Sequence, residues 1–142
     1  MAIDSGLRLT PLHEAHLAVG ARMVDYAGWS MPVLYTSILD EARAVRTGVG
    51  LFDISHMGRT ETSGPEATGT LQRLTSNDVE ALAPFEAQYS LLTNPAGGII
   101  DDIIVYRRAR DAYLVVINAS NTAKDLSWMR GQGGGAKIED RT

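Results

Sequence analysis

Asp101 and Asp102 are the residues of this chain best placed to do chemistry. Aspartate is depleted in strands, yet these two stand near the head of an Ile- and Val-rich run from Ile99 to Tyr106. Successive strand side chains point to opposite faces, so only one of the pair can serve a given pocket. Asp102 shares its face with Ile104 and Tyr106, and Asp101 goes with Ile103 and Val105. Two uses are open. One or both carboxylates can accept backbone N–H groups of the preceding Gly97-Gly98 turn. Alternatively, Asp102 sits in a partly apolar cleft where it orients or polarises an amine-bearing ligand. Tyr89, Tyr106 and Asn118 lie in or near the neighbouring strands. Each alone fits sheet packing with one polar tip satisfied; grouped with Asp102, they would make a cleft suited to a flat heteroaromatic ring with several nitrogens.

The remaining candidates are weaker. Gly97-Gly98 carries no surrounding nucleotide fingerprint and suits a tight turn. His56, beside Met57, fits a hydrogen-bonded structural group. His13 and His16 are three apart on one helix with no third ligand nearby, so no metal site is expected. The absence of cysteine from the 142 residues excludes disulfides, thiolate zinc sites and a cysteine nucleophile within them. A formal net charge of -4 argues against nucleic acid as the main ligand. No stretch approaches the roughly 18 continuous apolar residues of a membrane span. Met1–Gly6 shows neither a basic segment before an apolar run nor an Arg-rich transit character, which gives the expectation of a cytoplasmic protein.

The elements that must position these groups are partly legible. Pro11 to Val19 predicts a short helix with Thr10 as cap and Gly20 as stop. Ala21 to Tyr35 predicts irregular or short extended structure. Ser37 to Thr47 predicts an amphipathic helix with Ile38, Leu39, Ala42 and Val45 on one face and Gly48 at its end. Gly50 to Ser55 predicts a strand, continued or followed by Gly58 to Thr62. Gly64-Pro65-Glu66 opens a helix to about Leu74. Gln88 to Thr93 is extended and ends in the Asn94–Gly98 turn. Ile99 to Tyr106 and Ala112 to Asn118 predict adjacent antiparallel strands. A helix capped by Ser120 or Asn121 follows, with Ala123, Leu126 and Trp128-Met129 as core candidates, and Gly133–Gly135 ends it before Ala136 to Asp140. The fold class is α+β, mainly antiparallel sheet with flanking helices.

Several blocks come in a recognisable order: Thr10-Pro11-Leu12-His13, Gly20-Ala21-Arg22-Met23-Val24 and Tyr26-Ala27-Gly28-Trp29-Ser30-Met31-Pro32. They continue as Glu41-Ala42-Arg43-Ala44-Val45-Arg46, Leu51-Phe52-Asp53-Ile54-Ser55-His56-Met57-Gly58, Thr75-Ser76-Asn77-Asp78, Thr93–Asp102 and Asn118-Ala119-Ser120-Asn121. In combination they resemble the amino-terminal part of the glycine cleavage system T proteins, from about Leu9 to Trp128. The resemblance implies a folate-binding aminomethyltransferase amino-terminal fold. It also implies tetrahydrofolate-dependent transfer of a methylene unit from the aminomethyl-lipoyl arm of the H protein, with release of ammonia and formation of methylenetetrahydrofolate. It makes Asp102, the second Asp of the Gly-Gly-x-x-Asp-Asp block, the essential carboxylate. It matches family folate contacts at Met57, Tyr89, Ile104, Tyr106, Val116 and Asn118.

By the same resemblance, residues 1–142 form the amino-terminal folate-binding region and are expected to lack the carboxy-terminal remainder. Cationic and acidic residues that complete the family's folate site in later regions have no counterpart here. A family position with an apolar side chain near the folate is Glu61 in this sequence. The alternatives are a folate-binding relative without aminomethyl transfer, or a structural or interaction module.

Overall fold

The computed structural model describes residues 6–142, so Met1–Ser5 of the amino-terminal reading lie outside it. The described chain divides into two compact units, one ending at His56 and one running from Met57 to Thr142. The mixture of helices with mainly antiparallel strands is the expected α+β class.

In the first unit, β1 (Arg8–Leu9), β2 (Arg22–Tyr26) and β3 (Trp29–Leu34) form a sheet ordered β1-β3-β2. Here the segment from Ala21 to Tyr35 is more regular than expected. Ala27 and Gly28 both take positive φ, 52° and 78°, the conformation that lets a two-residue turn match the twist of paired strands. The strand signal was obscured by Pro32, which sits in the central strand opposite Met23, beside a register shift between Arg22 and Met23.

The first helix, α1 (His13–Ala18), starts later than Pro11, and the Thr10 side chain does not cap it. Thr10 instead closes the entry turn through its carbonyl, which accepts from the His13 N–H at 3.1 Å. The second, α2 (Ile38–Thr47), is as expected: the Ser37 hydroxyl accepts from the Asp40 N–H at 3.1 Å, and Gly48 ends it. No strand forms at Gly50–Ser55. Asp53 in that segment turns inward, accepting from the Ser55 N–H at 2.9 Å and meeting His16 Nε2 at 2.9 Å.

The second unit carries β4 (Gly58–Ser63), α3 (Ala67–Leu74), β5 (Ala87–Thr93), β6 (Ile99–Ala109), β7 (Ala112–Ile117), α4 (Thr122–Gly131) and β8 (Lys137–Asp140). Its sheet is ordered β5-β6-β7-β4-β8, and every neighbouring pair is antiparallel. The β6–β7 hairpin is tighter than the expected Arg107–Asp111 link, because β6 runs on to Ala109. Arg107 holds that end: its guanidinium donates to the Leu82 and Arg110 carbonyls at 2.6 and 2.7 Å.

The core lies on one face of this sheet. Ile103, Val105, Tyr113, Val115 and Ile117 pack there against Ala67, Leu71 and Leu74 of α3 and Met129 of α4. Tyr113 is fully buried, and its hydroxyl is satisfied by Thr68 Oγ1 at 2.7 Å. Ala123, expected in the core, is exposed; Leu126 and Met129 are buried as expected. Because both helices cover the same face, Leu71→Ala should cost about 2–5 kcal/mol. Ile104→Ala on the other face should cost about half that or less, as read from urea unfolding midpoints of this chain.

Candidate functional site

The opposite face of the second unit's sheet carries the residues singled out from sequence. Register fixes the rows. Leu91 pairs with Asp102; Tyr89 pairs with Ile104, which pairs with Val116; and Tyr106 pairs with Leu114. Leu114 in turn faces Glu61, and Glu61 faces Glu139. Asn118 follows β7 two residues after Val116, and so falls in the row of Asp102. Met57 precedes Gly58, the partner of Ile117, and so lies at the same end as Asn118. Thus Tyr89, Asp102, Ile104, Tyr106, Val116 and Asn118 belong to one face, with Met57 at its Asn118 end.

That face is open rather than an enclosed recess. Asp102 is exposed, as are Tyr89 and Tyr106, while Ile104, Leu114 and Val116 are half-buried. The reason is structural: α3 and α4 both lie across the sheet, against Ile103 and Val105. A cavity of about 440 Å³ in this unit is lined by Asn94, Ile100, Lys124 and Trp128, and Asp102 does not line it.

Alternation along β6 sends Asp101 the other way, where it is 8% exposed. Neither carboxylate caps the glycine turn. That task falls to Asn94, whose Oδ1 accepts from the Ala96 and Gly98 N–H groups at 3.0 and 2.9 Å. The two aspartates are instead joined by Asn118. Its Nδ2 donates to Asp102 Oδ1 at 2.9 Å, to Asp101 Oδ1 at 3.1 Å and to the Asp102 carbonyl at 3.3 Å. Asn121 Nδ2 adds a donor to Asp101 Oδ1 at 3.0 Å.

Burial acts to raise the Asp101 carboxyl. The neighbouring Asp125 carboxyl, then the amides of Asn118 and Asn121 and the Asp102 backbone, outweigh it and hold the group below its ordinary value. Hydrogen bonding to the Asp102 carboxylate raises the Tyr89 phenol, with smaller contributions from desolvation and from the charges of Asp102 and Asp101. The result is a half-apolar platform with two phenol rings and a carboxylate at one end, an arrangement that can seat a flat ring and accept from its N–H groups.

Sequence reasoning missed part of this cluster. Asn121 was expected as a helix cap, but it makes no cap bond and turns to Asp101. Asp125 was not singled out, although it precedes Met129 by one helical turn and so points into the core; it is fully buried. In the first unit, His16 is likewise more than a surface helix residue. Its Nδ1 meets the Tyr35 hydroxyl at 2.8 Å and its Nε2 meets Asp53. The His56 ring packs edge-on to Tyr26 at 5.6 Å between centroids.

Comparison with known proteins settles the lineage. Residues 12–142 match the family described as the GCVT N-terminal domain. The chain belongs to that family. It is 53% identical over 137 residues to an aminomethyltransferase of Bdellovibrio bacteriovorus, covering 96% of this chain and 38% of the relative. It is 50% identical over 133 residues to an aminomethyltransferase of Thermus thermophilus, covering 94% and 38%. The crystal structure of the glycine cleavage system aminomethyltransferase T from Bartonella henselae superposes with a TM-score of 0.85 at 34% identity, covering 94% of this chain and 38% of that one. This GCVT N-terminal domain chain therefore spans under two-fifths of the length of these relatives.

Asp102→Asn should bring the Tyr89 phenol down toward its ordinary value, because the hydrogen bond to a carboxylate that holds the phenol proton, and with it the opposing negative charge, is gone. Ultraviolet difference titration of the two proteins would show one tyrosine ionising earlier in the variant.

Proposed function

We propose that this chain supplies the folate-binding carboxylate face of a glycine cleavage system aminomethyltransferase, as its amino-terminal part. The reaction is transfer of the methylene unit from the aminomethyl-lipoyl arm of the H protein to tetrahydrofolate, releasing ammonia and forming methylenetetrahydrofolate. The observation that carries the reading is the placement of Asp102 at the head of a half-apolar sheet face with Tyr89, Ile104, Tyr106 and Val116, in one row with Asn118. Family membership and the 53% identity to an aminomethyltransferase support it.

The face suits a pterin-like ring on its own chemistry. Ile104, Leu114 and Val116 offer apolar contact, Tyr89 and Tyr106 offer ring edges and hydroxyls, and Asp102 offers a fixed acceptor. Asp102 accepts a hydrogen bond from a folate N–H, which raises electron density at that nitrogen and favours its attack on the aminomethyl carbon. The same carboxylate stabilises positive charge as it develops at the nitrogen. Asn118, by holding Asp102 Oδ1, limits the rotamers over which the carboxylate is spread. Met57 lies at the Asn118 end of the face. Glu61, at the other end, is tied to Arg141 at 3.2 Å.

The lipoylated H protein is the partner this reading requires, and the cytoplasm its compartment. Among the described residues no helix is long and apolar enough to cross a membrane.

Tetrahydrofolate should bind this chain, and Asp102→Asn should weaken binding about 10-fold or more, since a charge-assisted hydrogen bond is lost. Transfer from lipoylated H protein should be weak or undetectable with this chain alone. In a version extended to the length of the relatives, transfer should fall about 100-fold or more on Asp102→Asn. Binding without transfer in the extended version would mark a folate-binding relative instead. No binding by either version would leave a structural module.

A further inference from the structure

Behind the open face lies a second carboxyl that the proposed reaction does not use. Asp125 of α4 is fully buried, and neither of its oxygens has a hydrogen-bond donor among the described residues. Its neighbour Asp101 is saturated on Oδ1 by Asn118 and Asn121, while its Oδ2 is buried without a conventional donor. Two buried carboxyls side by side cannot both ionise without large cost. One proton resolves two of the three unpartnered oxygens, Asp101 Oδ2 and one oxygen of Asp125: carried by Asp125 and donated to Asp101 Oδ2, it leaves Asp101 as the anion that already holds the amide donors.

We infer that Asp125 is a positioning residue: the proton it shares with Asp101 fixes the Asn118 amide, and through that amide fixes Asp102 on the open face. The inference rests on the reading of Asp102 as the working carboxylate and extends it one layer inward. Asn118 has two amide hydrogens, and its nitrogen lies within 3.1 Å of both Asp101 Oδ1 and Asp102 Oδ1. A shift of Asp101 is therefore felt at Asp102 through one planar group.

The charged groups around Asp125 are few. Asp101 faces it from β6, and Lys124 of α4 places Nζ 3.6 Å from Asp125 Oδ1. Asp102 lies one residue beyond Asp101. Lys124 is half exposed and anchored to the Ile100 carbonyl at 2.8 Å, so it only partly offsets the pair. Asp125 also stands in the first turn of α4, where the helix end favours negative charge. Burial first and Asp101 second prevail over Lys124, and Asp125 is pushed up to about 7. The folded chain thus keeps a proton that the unfolded chain releases near 3.8. Stability contributed by that proton is full below the unfolded value and is lost as pH rises to about 7.

Aspartate-selective carbon NMR of this chain tests the inference without any ligand. One side-chain carboxyl should titrate near pH 7 and vanish in Asp125→Asn, and the Asp102 signal should move in step with it in the wild type only. Asp125→Asn keeps an amide donor for Asp101, so tetrahydrofolate affinity should stay within about 3-fold of wild type and lose its dependence on pH in that window. Asp125→Leu removes the donor, and affinity should fall about 10-fold. Absence of a neutral carboxyl at about pH 6 overturns the shared proton. An Asp102 signal that ignores the Asp125 titration overturns the positioning role, and this arm holds even if Asp125→Leu fails to fold. If tetrahydrofolate binds no form of the protein, the folate reading fails while the NMR result still decides the proton.

Discussion

Two adjacent carboxylates on one strand cannot share an environment, and most of what is distinctive in the second unit follows from that. The pleat of β6 sends Asp101 under the sheet and Asp102 over it. The inward one would be prohibitively placed without donors. The chain meets the cost with side-chain amides rather than cations: Asn118 from the end of β7 and Asn121 from the turn before α4. Because Asn118 also reaches Asp102, the solution to a burial problem on one face becomes the anchor of a functional candidate on the other.

Ordinary sheet packing then sets the character of the outer face. Both helices are needed to cover Ile103, Val105, Tyr113 and Val115, and that leaves Ile104, Leu114 and Val116 with only partial cover from their own unit. An apolar face with a carboxylate at its edge is a costly thing to leave open. Its composition is intelligible as a surface meant to hold something flat.

The sequence made Asp102 legible because period two is rigid: once β6 was recognised, its facing partners Ile104 and Tyr106 followed. The hairpin to β7 and the α2 helix were visible for similar reasons, clean alternation in one and a Ser37 to Gly48 frame in the other. The misses have a common cause. The β2–β3 hairpin depends on Ala27 taking a positive φ, which its side chain does not advertise. Asn121 and Asp125 were hidden because their partners are remote in the chain, 20 residues away in the case of Asn121 and Asp101. Local spacing suggests a helix cap for an asparagine there, and tertiary demand from Asp101 overrides it. Asp53 was hidden in the same way, lying in what resembled a strand while its role was set by His16.

The outer face is fastened differently at its two ends. At the Asp102 end the grip is a neutral amide, whose bonds are largely indifferent to dissolved ions. At the far end, Arg141 clasps Glu61 and Glu139 in partly exposed pairs at 3.2 and 3.1 Å, and such pairs weaken as ionic strength rises. Salt should therefore loosen the β8 margin while leaving the carboxylate where it is, so that the face flexes from one side only, like a page held at its spine.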